Sequence, residues 1–317
     1  MNRRPKLIFF GIIAFIVLFP VWMWIVWLLK PVKPINITII DKTVLLQPAQ
    51  EHQSFNWVLK HEKYVKSDHS FYETEKDYLG FFPQKNQQYS IKDLDKKGSA
   101  GIEQYARETD VAYFTDTYGI YSDEWYTQKG ALEHSKKIYG GLTSKDMLYL
   151  QALKKEKKLI ITEFNTIASP TSAGIRKEFE TSFGLQWTGW TGRYFELLDT
   201  TVNKELPKWI TRGYKAQHND HWPFKFAGIV FVNENEKIEI LEYGRHLTDA
   251  TPIIETKKAY REEYGLPATM KYPFWFDIML SSRKNDVVAT YSIKTTTEGD
   301  EVLAKTGTIT PHTEFEA

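Results

Sequence analysis

Residues 111–119 read VAYFTDTYG. An apolar and aromatic run goes straight into an acid and then into a turn-forming Thr-Tyr-Gly. The run predicts a strand over Val111–Thr115 that delivers Asp116 at its carboxyl end. The same pattern occurs on either side. Upstream, INITIID (35–41) is a β-branched apolar run closed by Asp41, the text of a buried strand. Downstream, Leu159–Thr162 is a strand that runs into Glu163-Phe164-Asn165.

Helical text separates these strands. Phe55, Val58 and Leu59 recur at helical spacing within Glu51–Lys63. Ser99 is placed to cap a helix through about Glu108, with Ile102, Tyr105 and Ala106 inward. Thr143 or Ser144 opens a helix that carries Met147, Leu150 and Leu153 on one face. Lys154, Lys155, Lys157 and Lys158 suit the negative end of its dipole. Ser172 opens another, with Ile175, Phe179 and Phe183 in register, and Gly184 is placed to end it. Residues 67–88 read as a loop holding one short strand. Strand and helix in alternation predict an α/β fold, with parallel pairing and right-handed crossovers.

After residue 205 the text becomes β-rich. Gly228–Asn233 and Lys237–Tyr243 predict a hairpin. Asp286–Ile293 and Glu301–Lys305 predict a second, turning at Thr297-Glu-Gly-Asp300, and Tyr272–Leu280 predicts a further strand. The division expected is a tail (1–6), an apolar helix (7–29), a Pro-flanked stalk (30–34), an α/β domain (35–205) and a β-rich extension (206–317) packed on it.

Residues 7–29 carry no charge, and a helix of that length matches a hydrocarbon core of roughly 30 Å. Trp22, Trp24 and Trp27 crowd its C-terminal third, where rings favour the membrane–water interface. No small-residue cleavage site follows, so an uncleaved single-pass anchor is expected rather than a signal peptide. Arg3, Arg4 and Lys6 precede the span and Lys30 and Lys33 follow it, which puts the amino terminus inside and the remaining chain outside the cytoplasmic membrane. The chain has 41 Lys+Arg against 40 Asp+Glu and no Cys. That balance removes the electrostatic case for nucleic acid, and the absence of Cys removes disulfides, thiolate nucleophiles and Cys-ligated zinc.

In open α/β sheets ligands bind outside the carboxyl ends of the strands. Asp41, Asp116 and Glu163 therefore belong at one rim, with Lys42, Tyr118 and Asn165 beside them. Crowded carboxylates repel, so one holds its proton more tightly. A protonated acid beside an ionised one is what hydrolysis of a glycosidic bond requires. The plain alternative is that acids at strand ends cap the turns that follow.

This order of elements, over about residues 35–200, resembles the flavodoxin-like sheet of the class I glutamine amidotransferase-like superfamily. Active members carry a Cys on a glycine-flanked elbow after a central strand. Thr162-Glu163-Phe164-Asn165 stands at the matching place with neither Cys nor glycines, so glutaminase chemistry is excluded. The resemblance implies a mostly parallel sheet with helices on both faces, and a non-catalytic derivative of the kind attached to carbohydrate-active enzymes.

WTGWTGRYF (187–195) follows the last of these helices. A period of three suits neither strand nor helix, so an irregular segment is expected. Trp190 reads either as a stacking ring for a saccharide or as core. Arg193 is expected to reach a crevice acid. His218-Asn-Asp-His221 lacks a third ligand and HExxH is absent, so no metal is expected. Gly140-Gly141 is too short for a phosphate loop, and no GxSxG elbow is present. No cofactor is implied. The expectation is an anchored extracytoplasmic domain that binds carbohydrate of the cell envelope or an exopolysaccharide, through Asp41, Lys42, Asp116, Tyr118, Glu163, Asn165, Trp190 and Arg193. Two rivals stand beside it: a glycoside hydrolase using two of the acids, and a structural partner in a membrane complex that docks through Tyr272–Phe276.

Overall fold

The computed structural model describes residues 3–46, 49–127, 135–307 and 315–316, and side chains within this range from residue 9 to residue 307. Helix α1 (Arg3–Leu29) continues through Pro20, and none of its apolar window is buried. It is long and apolar enough to be a membrane span or a signal sequence. The side chains of Arg3, Arg4 and Lys6, on which the expected orientation rests, lie outside the described ones.

Residues 30–34, read from the sequence as a stalk, are tied down. Lys33 and Pro34 pair in parallel with Tyr64 and Val65. The Lys33 N–H donates to the Lys63 carbonyl at 2.8 Å, and the Ile35 N–H to that of Val65 at 2.9 Å. Lys63 Nζ donates to the carbonyls of Leu28 and Lys30, both at 2.8 Å. A buried ammonium thus satisfies the open carbonyls at the end of α1 and complements its dipole.

The α/β layer contains β1 (Ile37–Asp41), α2 (Gln50–His61), β2 (Leu79–Pro83), β3 (Tyr89–Lys92), α3 (Ser99–Glu108), β4 (Val111–Asp116), α4 (Ser144–Lys155), β5 (Leu159–Thr162) and α5 (Ala173–Phe183). Its sheet has the order β3-β2-β1-β4-β5, parallel except for the antiparallel edge β3. Strand alternation sends Ile40 and Phe114 to one face and Ile39 and Tyr113 to the other. The first pair packs with Ile102, Met147, Leu150 and Phe179 of α3, α4 and α5, and the second with Ala49 and Phe55 at α2. Residues 67–88 hold β2 as the expected short strand; β3 follows directly after them. Thr143 caps α4 in a reciprocal box with Asp146, and Gly184 ends α5 at φ 69°. The cap of α3 is Gly98, not Ser99, which lies inside the helix.

WTGWTGRYF is not irregular: it lies in β6 (Leu185–Phe195). The period of three comes from a bulge. Between Trp187 and Thr191 the strand advances four positions while its partner advances two, from Met279 to Asp277. Gly189 sits in the bulge at φ 84°, a conformation that glycine adopts without a Cβ penalty.

Beyond it come α6 (Lys208–Gln217), β7 (Gly228–Asn233), β8 (Ile238–Glu242), β9 (Ile253–Thr256), β10 (Thr269–Lys271), β11 (Trp275–Ser281), β12 (Ala289–Ser292) and α7 (Thr297–Ala304). An antiparallel sheet has the order β8-β7-β6-β11, and another contains β10-β9-β12 with Phe315–Glu316 beside β12. The hairpin expected over 286–305 does not form. Thr297-Glu-Gly-Asp300 opens α7 instead, because Thr296 accepts the Gly299 N–H and two acids sit in the first turn.

The sheet around β6 is buried on both faces. Trp190, Phe231, Phe276 and Ile278 pack with Leu303 of α7 on one side; Phe195, Val230 and Ile240 pack with Ile210 of α6 on the other. Trp187 and Met279 join the α/β core. Arg176 of α5 lies 4.5 Å from the Trp187 ring centroid and bonds Glu234 at 2.6 Å, which fastens the two layers together.

Trp190 is 2% exposed, so it is core and not a stacking ring. Trp190→Ala should cost about 3–5 kcal/mol of stability in equilibrium denaturation, whereas a solvent-facing ring would change it by about 0.5 kcal/mol or less.

Candidate functional site

The strand order changes direction between β1 and β4: the chain moves from β1 outward to β2, then returns to the far side of β1. A crevice at the carboxyl ends of two such strands is the usual ligand position in open α/β sheets. Asp41 and Asp116 face each other there in register, because the ladder skips Thr115. The Thr115 hydroxyl is buried and has no hydrogen-bond partner among the described residues.

Asp41 is fully buried and committed. Its Oδ1 accepts the Thr43 N–H at 3.0 Å, and its Oδ2 lies 2.7 Å from His52 Nδ1. His52 Nε2 lies 2.8 Å from the Thr74 carbonyl, which can only accept. The ring therefore donates from both nitrogens to a carboxylate and a carbonyl, as an imidazolium. Burial works against that charge, but the hydrogen bond and charge of Asp41, with the Thr74 carbonyl and Glu51, raise the His52 pKa.

Lys42 is also committed. It is 1% exposed, and its ammonium bonds the Gly141 carbonyl at 2.9 Å and Asp146 at 2.5 Å. The expected ligand contacts of Asp41 and Lys42 are thus replaced by internal pairs. Each is too deep to stay charged without a partner. Gly141 belongs to the glycine pair read from the sequence as too short for a phosphate loop. A Cβ on Gly140 would stand 2.5 Å from the Gly119 Cα, so two chain segments meet at the crevice with no room for side chains.

Asp116 is half-buried at the rim. Its Oδ1 accepts the Tyr118 N–H at 2.6 Å. Burial, joined by the charge of Asp41, pushes its pKa up to about 7 against the opposing bonds from Tyr118, Thr43 and Asn165. The carboxyl thus changes charge near neutrality. Tyr118 is half-buried and its ring lies 4.9 Å from that of Tyr121; burial pushes its phenol up to about 12.

Glu163 is exposed, and its Oε1 accepts a short hydrogen bond from the Tyr113 hydroxyl. Next to it, the Phe164 ring is stacked 6.5 Å from that of Trp275. Arg193 lies cross-strand from Trp275. Its guanidinium stands 5.6 Å from the Trp275 ring centroid and 4.7 Å from that of Phe195. Burial lowers its pKa. Arg193 is held by rings: the expected ion pair with Asp41, Asp116 or Glu163 does not appear among the described residues.

Asn165 sits at φ 63°. Its N–H donates to Asp277 Oδ2 at 3.0 Å, and the other Asp277 oxygen accepts from Thr191 at 2.8 Å. Asp277 is a strut between β5, β6 and β11, and burial pushes its pKa up to about 6.

Asp41 and Asp116 are thus adjoining, and Glu163 follows the next strand, its N–H bonded to the Phe114 carbonyl at 3.0 Å. Asn165 adjoins Asp116, while Trp190 is elsewhere. Sequence reasoning missed His52, Tyr113, Phe164, Trp275 and Asp277. Asp277 had a signal: in Trp275-Phe-Asp-Ile-Met279 it alternates onto the same face as two apolar residues. His52 had none, since its partner lies eleven positions back on another element.

His218 stacks on Tyr214 at 4.0 Å, and Asn219 and Asp220 have positive φ, as a turn. Among the described residues, no cluster of three or more His, Asp or Glu suits a metal. No family model matches the chain, no curated protein is significantly similar to it, and no solved structure matches its fold significantly.

His52→Gln should destabilise the domain by about 3 kcal/mol, as expected when a buried pair loses a partner. A raised folded pKa gives stability that is full below the unfolded value of 6.5 and fades as pH rises through the folded one. The gap between variant and wild type should therefore be widest in acid and narrow in alkali, as read by thermal melts. Asp116 has the opposite sense: a raised carboxyl pKa penalises the fold as pH climbs from 3.8 to about 7. Asp116→Asn should leave stability near wild type at pH 4 and raise it by ~1–2 kcal/mol at pH 8.

Proposed function

We propose that this chain is a single-pass membrane protein whose extracytoplasmic α/β domain binds carbohydrate of the cell envelope or an exopolysaccharide at the strand-end rim. The observation that carries it is the grouping around Glu163. An exposed carboxylate held by Tyr113 stands beside the stacked Phe164 and Trp275, with Arg193 over the second ring. Flat apolar faces suit the axial hydrogens of a sugar, and Glu163, Asn165 and Asp116 suit its hydroxyls. Aromatic area with a few placed polar groups is the usual make-up of a small-molecule site.

The anchor half of the reading is supported by α1, which is uncharged from Leu7 to Leu29. The end of α1 is bonded to the domain through Lys63, an arrangement a cleaved leader would not need. Basic residues before the span favour the outward orientation. The parallel order β2-β1-β4-β5 supports the flavodoxin-like description and the reading as a non-catalytic derivative of the glutamine amidotransferase-like superfamily. In a hydrolytic version Asp116 would be the acid and Glu163 the base, because Asp41 is spent on His52. Docking through Tyr272–Phe276 has less support: Phe274 is exposed, but Phe276 is buried in the core.

The test is binding of envelope and capsular polysaccharides by the full chain in detergent, read by calorimetry. Glu163→Gln and Trp275→Ala should each weaken binding at least tenfold, about 1.4 kcal/mol, and Glu163→Gln should leave the melting temperature unchanged. Binding equal to wild type in both variants would overturn the reading, as would no binding by the wild type. Hydrolysis of the ligand, abolished by Asp116→Asn, would establish the enzyme instead.

A further inference from the structure

The last turns of α1 and the exposed face of α2 do not close on each other. Between them runs a groove of about 810 Å³, walled by Met23, Trp24, Val26, Trp27 and Leu29 on one side and by Trp57, Lys60 and His61 on the other. The groove is built, not incidental. Trp27 Nε1 donates to the His61 carbonyl at 2.8 Å, which fixes the distance between the helices. Trp57 is stacked on His61 with ring centroids 5.0 Å apart and the planes 9° from parallel, yet Trp57 stays 64% exposed. A large ring held in place but left uncovered marks a contact surface.

Its lining combines two chemistries. Met23, Val26 and Leu29 are apolar. Lys30 and Lys60 add ammonium groups. Lys30 is bonded to Glu62 at 2.6 Å, and Lys63 is occupied by the carbonyls of α1. Lys60 has no ion pair among the described residues. An apolar trough with an unpaired cation in its lining is the complement of a lipid tail joined to a phosphate.

We infer that this groove holds one anionic phospholipid, its acyl chain along Met23, Val26 and Leu29 and under Trp57, its phosphate at Lys60. This rests on the membrane-anchor half of the function proposed above and not on the carbohydrate half. The position argues for lipid over any other apolar occupant. Helix α1 has 27 residues, or about 40 Å at 1.5 Å per residue, against a hydrocarbon core of roughly 30 Å. Its final turns therefore stand at headgroup level, where tryptophan and lysine side chains favour the interface. One wall of the groove is the membrane helix itself, so the trough opens directly onto lipid. A cytoplasmically oriented polybasic cluster would draw anionic lipid by charge alone; here a single free lysine acts together with an apolar slot, which predicts a defined stoichiometry.

The test uses the full chain in detergent with phosphatidylglycerol and phosphatidylcholine of identical acyl chains, read by native mass spectrometry. One phosphatidylglycerol should be retained with at least a tenfold preference. Trp57→Ala combined with Lys60→Ala should reduce retention at least tenfold, and both sites are on the surface, so the fold should survive. Lys155→Ala, an exposed lysine outside the groove, should change nothing. Equal retention of the two lipids overturns the inference, as does wild-type retention by the double variant or displacement by millimolar inorganic phosphate. Alkaline carbonate extraction of the same membranes separates the two failures. Release of the chain would sink the anchor reading, whereas a chain that stays in the membrane and shows no lipid preference sinks this inference alone.

Discussion

A lysine ammonium with almost no exposure must find negative partners, and the position of the crevice follows from where Lys42 finds them. Its side chain reaches the Gly141 carbonyl and Asp146, while its backbone N–H bonds the Asp116 carbonyl at 2.9 Å. One residue thereby fastens the end of β1 to β4 through the main chain and to the start of α4 through the side chain. Asp146 is already shared with Thr143 in the helix cap, so the charge pair and the cap cannot move apart. Breaking such a pair from one side costs about 3–5 kcal/mol. The glycine contact at 119 and 140 lies against the same anchor, and together they set the floor on which Asp116 stands.

The acids divide by environment into those that hold the structure and those that remain available. Asp41 and Asp146 are buried with cations. Asp277 joins two sheets. Asp116 and Glu163 keep access to solvent, one half-buried and one exposed, and neither forms an ion pair among the described residues. The rim is also composite: Phe164 and Asn165 come from the end of β5, Trp275 and Asp277 from β11. A ligand at Glu163 would therefore touch both layers, and the bond from the Asn165 N–H to Asp277 keeps them in register.

Most of the α/β layer was legible in the sequence. INITIID, VAYFTD and LIITE each combine an apolar run with a terminal acid, and the intervening helices carry their own periodicity and caps. The β-rich half was harder. The bulge in β6 doubles back the alternation of WTGWTGRYF, and a strand with two extra residues does not read as a strand. Thr297-Glu-Gly-Asp300 has turn composition and also helix-start composition, and packing of Leu303 decides for the helix. At the site, sequence located the strand ends but could not say which acids were already taken. That depends on His52, Asp146 and Tyr113, which approach from other elements. Arg193 was read as an ion-pair donor, yet its guanidinium stands by the rings of Phe195 and Trp275, which shield it instead.

The splice at Lys63 leaves no slack segment between α1 and the sheet. From Leu28 through the Lys33–Tyr64 ladder to Ile37 the chain is bonded at successive points, and the very next element is the strand that ends in Asp41. With α1 as the anchor proposed above, a change in its tilt, imposed by bilayer thickness or by lateral pressure, would be delivered as a rotation of the strand ends and not absorbed by a slack linker.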